Sequence, residues 1–485
     1  MVSKSKVVKS KIVCTIGPAS SSEKVLKGMV EAGMDVARIN FSHGTHEEHA
    51  RTIERIRSVD DGVAVMCDIQ GPRIRVGRMS EPASLERGKT VVITTEDVVG
   101  DEGRVPIPYK GLTRDLKKGD RIFIGDGIIM LEVLEVKGRE VRCRVLSGGV
   151  LTSNKGVNLP RVKLSVSVPT EKDRRDLEFI AGLEPEYVAV SFVGNKGEVK
   201  KVRAILDDNG GSEIRLISKI ERQAAIESFD GILQVSDGIM VARGDLGVEM
   251  SPETVPQLQK EIITRCNREG KPVIVATQML ESMILQPLPT RAEASDVYNA
   301  VLDGADAVML SGETSIGRHP VEAVRIMDRI VTEAERTLPR RDPDYFDSEH
   351  QTIAEILGHA IYTVAGEFDD QGKIDRLYIL TITREGYSAR MISKYRPPVP
   401  ILAATPSRRV GRELRLLWGV EPILFEGSPT DSTDHIIKKA VEKAFQMRYL
   451  SKRDYVAVVC ASRAVQSMEK KTNLLGLFQV GEIVG

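Results

Sequence analysis

Leu216-Ile-Ser-Lys219-Ile-Glu221 and, shortly after, Ile239-Met-Val-Ala-Arg243-Gly244-Asp245-Leu-Gly247 are two apolar runs that end in charges. In an extended strand, side chains two apart share a face, so Lys219 and Glu221 point the same way. If the second run is the neighbouring strand, Asp245 stands beside them. Two carboxylates and an ammonium at one strand edge suit a hard divalent metal with a phosphate-binding cation next to it. A Lys–Glu ion pair capping a strand explains the first segment equally well, so the rest of the chain must decide.

The same grammar recurs. Apolar runs of strand length occur at Lys11–Gly17, Val36–Ser42, Val63–Gln70, Tyr187–Val193, Arg215–Glu221, Gly238–Leu246, Pro272–Met279 and Ala307–Thr314. They are rich in Val and Ile and mostly lack strict polar alternation, as strands covered on both faces should. Between them, Ser22–Ala32, Glu47–Arg57, Glu198–Asp207, Thr254–Glu269 and Arg291–Leu302 carry helical periodicity. The strands end in chemically capable residues: Asn40, Ser42, Asp68, Ser191, Lys219, Glu221, Asp245, Thr277, Ser311 and Glu313. Eight βα units with polar strand ends predict an α/β fold built on a TIM (β/α)8 barrel, whose catalytic face gathers such ends. A doubly wound open sheet gives the same alternation but needs polar ends only near its switch point.

With 485 residues the chain is too long for one core, and about three domains is the expectation. Its 69 Lys plus Arg balance 69 Asp plus Glu, so no global field draws it to nucleic acid or a membrane. The five cysteines, Cys14, Cys67, Cys143, Cys266 and Cys460, are scattered and read as core thiols in a reducing compartment. The start lacks the apolar segment of a signal peptide and no run approaches membrane-spanning length, so a soluble, cytoplasmic protein is expected.

Residues 1–75 and 163–341 are assigned to the barrel. From 76 to 162 the texture changes to short β-like runs (Thr90–Thr94, Arg121–Ile124, Ile128–Val136, Glu140–Val145) separated by turns, which predicts a small β-barrel inserted as a lid. Residues 342–485 are expected to form a C-terminal α/β open-sheet domain, with strands at Leu377–Thr383, Pro400–Ala404, Val420–Phe425 and Tyr455–Ala461.

Seven segments in order carry a family resemblance: Cys14-Thr-Ile-Gly-Pro-Ala-Ser20, Ala37-Arg-Ile-Asn-Phe-Ser-His-Gly44, Lys155-Gly-Val-Asn-Leu-Pro160, Ser218-Lys-Ile-Glu221, Val241-Ala-Arg-Gly-Asp-Leu-Gly-Val-Glu249, Ala276-Thr-Gln-Met-Leu-Glu-Ser282 and Met309-Leu-Ser-Gly-Glu-Thr314. Together they resemble pyruvate kinase, from about Lys11 to the C-terminus. The resemblance implies phosphoryl transfer from phosphoenolpyruvate to ADP, giving pyruvate and ATP, in a three-domain subunit of a homotetramer. It implies Mg²⁺ or Mn²⁺ on Glu221 and Asp245, Lys219 and Arg38 on the transferring phosphoryl group, and Gly244 and Asp245 at the substrate carboxylate. Thr277 would assist protonation of the enolate, and Asn40, His43, Arg75 and Lys155 would contact the nucleotide.

Three departures modify that picture. Asn40, Ser42, Asp68 and the backbone at Ile69 match a monovalent-cation site, yet the chain reads Asp68-Ile-Gln-Gly-Pro-Arg73 where potassium-dependent relatives read Thr-Lys-Gly-Pro-Glu after the aspartate. A guanidinium at Arg73 is expected to replace the ion, so potassium is not required. Gly194 and Asn195 stand where many relatives have two basic residues. In Thr381-Ile-Thr-Arg-Glu-Gly-Tyr-Ser388, Thr383, Arg384 and Ser388 resemble an effector-phosphate loop, but Glu385 puts a carboxylate where binders of fructose bisphosphate carry a hydroxyl. An ordinary strand-to-helix loop remains an equal reading there.

Two other functions compete. A Mg²⁺-dependent aldolase or lyase of the pyruvate/enolate class needs Glu221 and Asp245 but not Lys155, Asn40, His43 or Arg75. A nonenzymatic phosphometabolite sensor would tolerate loss of Lys219 or Glu221, and both are present.

Overall fold

The computed structural model describes residues 8–125, 127–162, 165–166, 168–339, 352–371, 376–428, 431–461 and 472–485. Eight parallel strands close into a barrel: Lys11–Ile16, Val36–Asn40, Ala64–Ile69, Tyr187–Val190, Arg215–Ile220, Gly238–Ala242, Val273–Ala276 and Ala307–Leu310. Each pairs with the next in the chain, and the eighth pairs with the first. Buried on both faces, they separate two cores. Val13, Val36, Met66, Ala189, Ile217, Met240, Ile274 and Met309 fill the interior, while Ile12, Cys14, Ile39, Val65, Leu216, Val241 and Val275 pack outward against the helices. The two-residue period does the rest. Ile217 faces inward, so Lys219 and Glu221 do too; Val36 sets the side for Arg38 and Asn40, Met66 for Asp68, and Ala189 for Ser191.

Helix starts follow local chemistry. Thr45 and Glu48 form a reciprocal capping box on His46–Val59, as do Thr170 with Asp173 and Thr290 with Glu293 on their helices. Two strands give way to helix where the apolar pattern predicts them to continue. The sixth ends at Ala242 and continues as the helix Arg243–Glu249, and the eighth ends at Leu310 before the short helix Gly312–Ser315. In both, side chains take over from the ladder. Arg243 donates to the Thr277 carbonyl (2.8 Å), and Glu313 accepts from the Leu280 and Ser311 N–H groups at 3.0 and 2.7 Å.

Between the third and fourth barrel strands lies a seven-stranded sheet, in the order Ile74–Arg75, Gly156–Asn158, Arg121–Ile124, Ile129–Lys137, Glu140–Ser147, Thr90–Thr94, Arg104–Pro106. With a two-stranded partner (Ala83–Leu85 and Gly149–Leu151) it encloses its own core around Ile93, Leu131, Val133 and Val141.

After the helix Ile353–Gln371 comes a five-stranded sheet. Its parallel strands are Val420–Leu424, Ile401–Thr405, Leu377–Ile382 and Tyr455–Cys460, and Leu474–Gln479 adds an antiparallel edge. That edge strand is absent from the sequence reading, because Gly476 interrupts a short, half-exposed run. The proposed boundary at 341/342 lies outside the described residues.

Charges tie this sheet's surroundings to the base of the barrel. Fully buried Glu186 accepts from Arg57 (2.7 Å), Arg412 (2.6 Å) and the Val65 N–H (2.7 Å). Arg396 pairs with Asp306 at 2.8 Å, and Lys11 Nζ donates to the Val420 carbonyl at 2.8 Å.

Candidate active site

At the C-terminal mouth of the barrel, Lys219 Nζ lies 3.0 Å from Glu221 Oε1, 3.3 Å from Asp68 Oδ1 and 2.7 Å from Ser191 Oγ. Burial works against its charge, but Asp68 and Glu221 outweigh that and hold the ammonium above the usual lysine range. Asp68 is the organiser. Burial would raise its carboxyl, yet Arg38 and Lys219 hold it below the usual carboxylate range. Arg38 Nε donates to Asp68 Oδ2 at 2.6 Å and its Nη1 to Thr15 Oγ1 at 2.9 Å. The two cations are thus fixed on opposite oxygens of one carboxylate, and both are almost buried.

Glu221 Oε2 also accepts from the Phe192 N–H at 2.6 Å, with Phe192 in the left-handed region (φ 57°). The fifth and sixth strands pair in register, Ile220 with Val241, so Glu221 emerges next to Ala242 and the helix that carries Asp245. Thr277, also left-handed (φ 70°), accepts the Gly244 N–H at 2.8 Å and donates to the Ala276 carbonyl at 2.6 Å. A strained backbone at two strand ends of one barrel face is a recurrent feature of sites that over-determine geometry. Glu313 lies beside Thr314 under this face, and Ser311 Oγ is buried with no hydrogen-bond partner among the described residues.

Above the mouth, the inserted sheet and the barrel enclose a cleft of about 230 Å³. Arg73, Arg75 and Lys155 line one side; Phe192, Arg222, Asp245 and Glu249 line the other. Asn40 stands in register with Asp68, and its Oδ1 accepts the Ser42 N–H at 3.1 Å. Partial burial first, then Arg73, Arg75, Arg38 and Lys172, hold His43 below the ordinary histidine range, so it is neutral at pH 7 in a cationic rim. Arg73 is exposed, and Ile69 is buried with its side chain in the fold's interior. Glu249 was not singled out from sequence; burial, with Asp245 adding and Arg222 opposing, pushes its carboxyl up to about 7. Arg222 and Thr15 were likewise not singled out. Only their places next to Glu221 and two residues before Gly17 hinted at them.

Hard oxygen donors at Glu221 and Asp245 fit a divalent ion such as Mg²⁺. Among the described residues no group of three or more His, Cys, Asp and Glu side chains is gathered as a complete cage. Such a pair suits an ion that takes its remaining oxygens from substrate and water.

The candidate effector loop lies elsewhere, in the C-terminal unit, against a cavity of about 310 Å³ lined by Thr383, Arg384, Glu385, Ser388 and Thr472. Thr383 Oγ1 accepts the Gly386 N–H at 2.9 Å, Ser388 Oγ meets Thr472 Oγ1 at 2.5 Å, and Arg384 and Glu385 are exposed.

Comparison with known proteins identifies the family. The family described as pyruvate kinase, barrel domain, matches residues 7–324, and that described as pyruvate kinase, alpha/beta domain, matches residues 370–477. A pyruvate kinase of Clostridium acetobutylicum is 41% identical over 479 residues, spanning 96% of this chain and 98% of that protein. Pyruvate kinases of Sporosarcina psychrophila and Bacillus licheniformis are 41% and 40% identical over 485 residues, spanning 98% of this chain and 81% of each relative. The chain belongs to the pyruvate kinase family.

Proposed function

We propose that the chain transfers the phosphoryl group of phosphoenolpyruvate to ADP, giving pyruvate and ATP, as the last step of glycolysis. The observation that carries the reading is the paired fixation of Lys219 and Arg38 on Asp68 in the barrel mouth, together with a cleft lined by Arg75, Lys155 and Asp245. Phosphoryl transfer needs positioned positive charge more than covalent chemistry. Lys219 and Arg38 grip the moving group while Arg75, Lys155, His43 and Asn40 hold the ADP phosphates in line. Glu221 and Asp245 would hold a Mg²⁺ or Mn²⁺, which would supply further positive charge to the bound substrate. The enol oxygen releases the phosphoryl group to a β-phosphate oxygen of ADP, and the enolate left behind takes a proton at its methylene carbon. Thr277 assists that last step. Its hydroxyl donates to the Ala276 carbonyl and accepts the Gly244 N–H, which fixes it as a group that positions the proton source.

The remaining assignments belong to the same reading. Residues 1–75 and 163–341 form the catalytic unit, 76–162 its lid and 342–485 the C-terminal unit of a cytoplasmic homotetramer. Support for a reducing compartment comes from the cysteines, all five buried as free thiols; among the described residues no helix is long and apolar enough to cross a membrane. Arg73 stands in for potassium, supported by a field that reaches His43 and Arg75. A phosphorylated effector other than fructose 1,6-bisphosphate binds Thr383, Arg384 and Ser388. The aldolase or lyase alternative has no use for the cationic wall at Arg75 and Lys155. ADP-dependent release of pyruvate from phosphoenolpyruvate, abolished by a chelator and restored by Mg²⁺, is the expected result. Cleavage or condensation of aldol substrates without ADP would overturn the reading.

A further inference from the structure

Arg222 directly follows Glu221 and caps no helix with its side chain. The side chain is only 13% exposed, yet it donates no hydrogen bond among the described residues, and its Nε is buried without a partner. The nearest carboxylate, Glu198, is 3.6 Å away, beyond hydrogen-bond range, and its Oε2 already takes the Gly194 N–H at 2.6 Å. A guanidinium carries five donors in a fixed fork, and groups this buried are ordinarily satisfied.

The fold makes room for it. A Cβ on Gly194 would lie 2.5 Å from Arg222 Nη2 and 3.4 Å from its Cζ. Gly194 lies outside the left-handed region, so its backbone does not call for glycine. What excludes a side chain at 194 is the guanidinium itself. That guanidinium lines the same cleft as Arg73, Arg75 and Lys155, on the opposite wall beside Asp245 and Glu249.

We propose that Arg222, seated on Gly194, is a further nucleotide-binding residue whose unused donors take a phosphate oxygen of ADP from the wall facing Arg75 and Lys155. The inference rests on the reading of this cleft as the ADP site. A phosphate matches the fork of a guanidinium in two parallel bonds, which a lysine cannot reproduce.

The test is ADP binding in the presence of Mg²⁺ by calorimetry, with phosphoenolpyruvate binding measured separately, in wild type, Arg222→Gln, Arg222→Lys and Gly194→Ala. Loss of a charged hydrogen bond to phosphate predicts an ADP Kd and KM raised roughly tenfold or more in Arg222→Gln, partly recovered in Arg222→Lys. The Kd for phosphoenolpyruvate and kcat at saturating ADP should stay within about threefold. Gly194→Ala, which displaces the guanidinium, should weaken ADP in wild type and add nothing in Arg222→Gln. An unchanged ADP Kd, equal losses for both substrates, or additive penalties from the two substitutions would overturn the inference. Direct binding keeps it separate from the activity: wild-type protein that binds ADP but releases no pyruvate contradicts the kinase reading, while the Arg222 contrast still decides the contact.

Discussion

Lys219 on the fifth barrel strand and Glu221 just past its end meet at 3.0 Å inside the barrel mouth, and Asp68 from two strands away completes the triad at 3.3 Å from the same ammonium. The cation thus sits between the carboxylate assigned to the metal and the carboxylate that fixes Arg38. A charge so held costs no reorganisation when a phosphoryl group arrives, which is how preorganised electrostatics lowers a barrier.

Asp68→Asn should loosen both cations at once. Asp68's carboxyl is held low, so its contribution to stability is present above the ordinary aspartate range, near pH 4, and is lost as pH falls through the depressed value. Lys219, held high, contributes throughout neutral pH and is lost only as pH rises through its raised value. Urea unfolding should therefore show Asp68→Asn destabilised by roughly 3 kcal/mol at pH 7, as expected for a buried ion pair losing one partner. The gap should narrow toward pH 3. A gap that widened in acid would contradict the assignment of charge.

Turnover should not need potassium. In sodium- and potassium-free buffer, with Mg²⁺ and a bulky organic cation holding ionic strength, the rate should stay within about twofold of that with potassium if Arg73 supplies the charge. Arg73→Glu should then create an enzyme that potassium activates. Arg73 is exposed, so a rate that collapses without potassium and returns on adding it would mean the guanidinium faces solvent only.

Fructose 1,6-bisphosphate should activate poorly. Glu385 shares the cavity with Thr383, Arg384 and Ser388, and a carboxylate near a phosphate dianion costs roughly 1 kcal/mol or more. Glu385→Thr should lower the activating concentration about tenfold. Strong activation of the wild type at micromolar levels would show that Glu385 turns away from the ligand.

The barrel was legible because its strands are buried on both faces and end in polar residues. Once Ile217 is inside, the two-residue period places Lys219 and Glu221 without further information. Strand ends were less legible. Arg243–Glu249 and Gly312–Ser315 continue the apolar runs but are turned into helix by side-chain bonds from Arg243 and Glu313 that no periodicity encodes. Leu474–Gln479 was missed because an antiparallel edge tolerates Gly476 and half-exposed residues. Arg222 was missed because its place depends on the space left by Gly194, a contact distant in sequence.

The most direct measurement compares two activities of Lys219→Met: pyruvate formation from phosphoenolpyruvate and ADP, and Mg²⁺-dependent exchange of pyruvate methyl protons with deuterated solvent. Removing the cation beside the moving phosphoryl group should lower the first about 10³-fold or more, a loss of several kcal/mol of transition-state stabilisation. Exchange should remain within about tenfold of wild type, because the proposed metal ligands Glu221 and Asp245 and the proposed proton-positioning Thr277 are unchanged. Near-wild-type pyruvate formation would contradict the account.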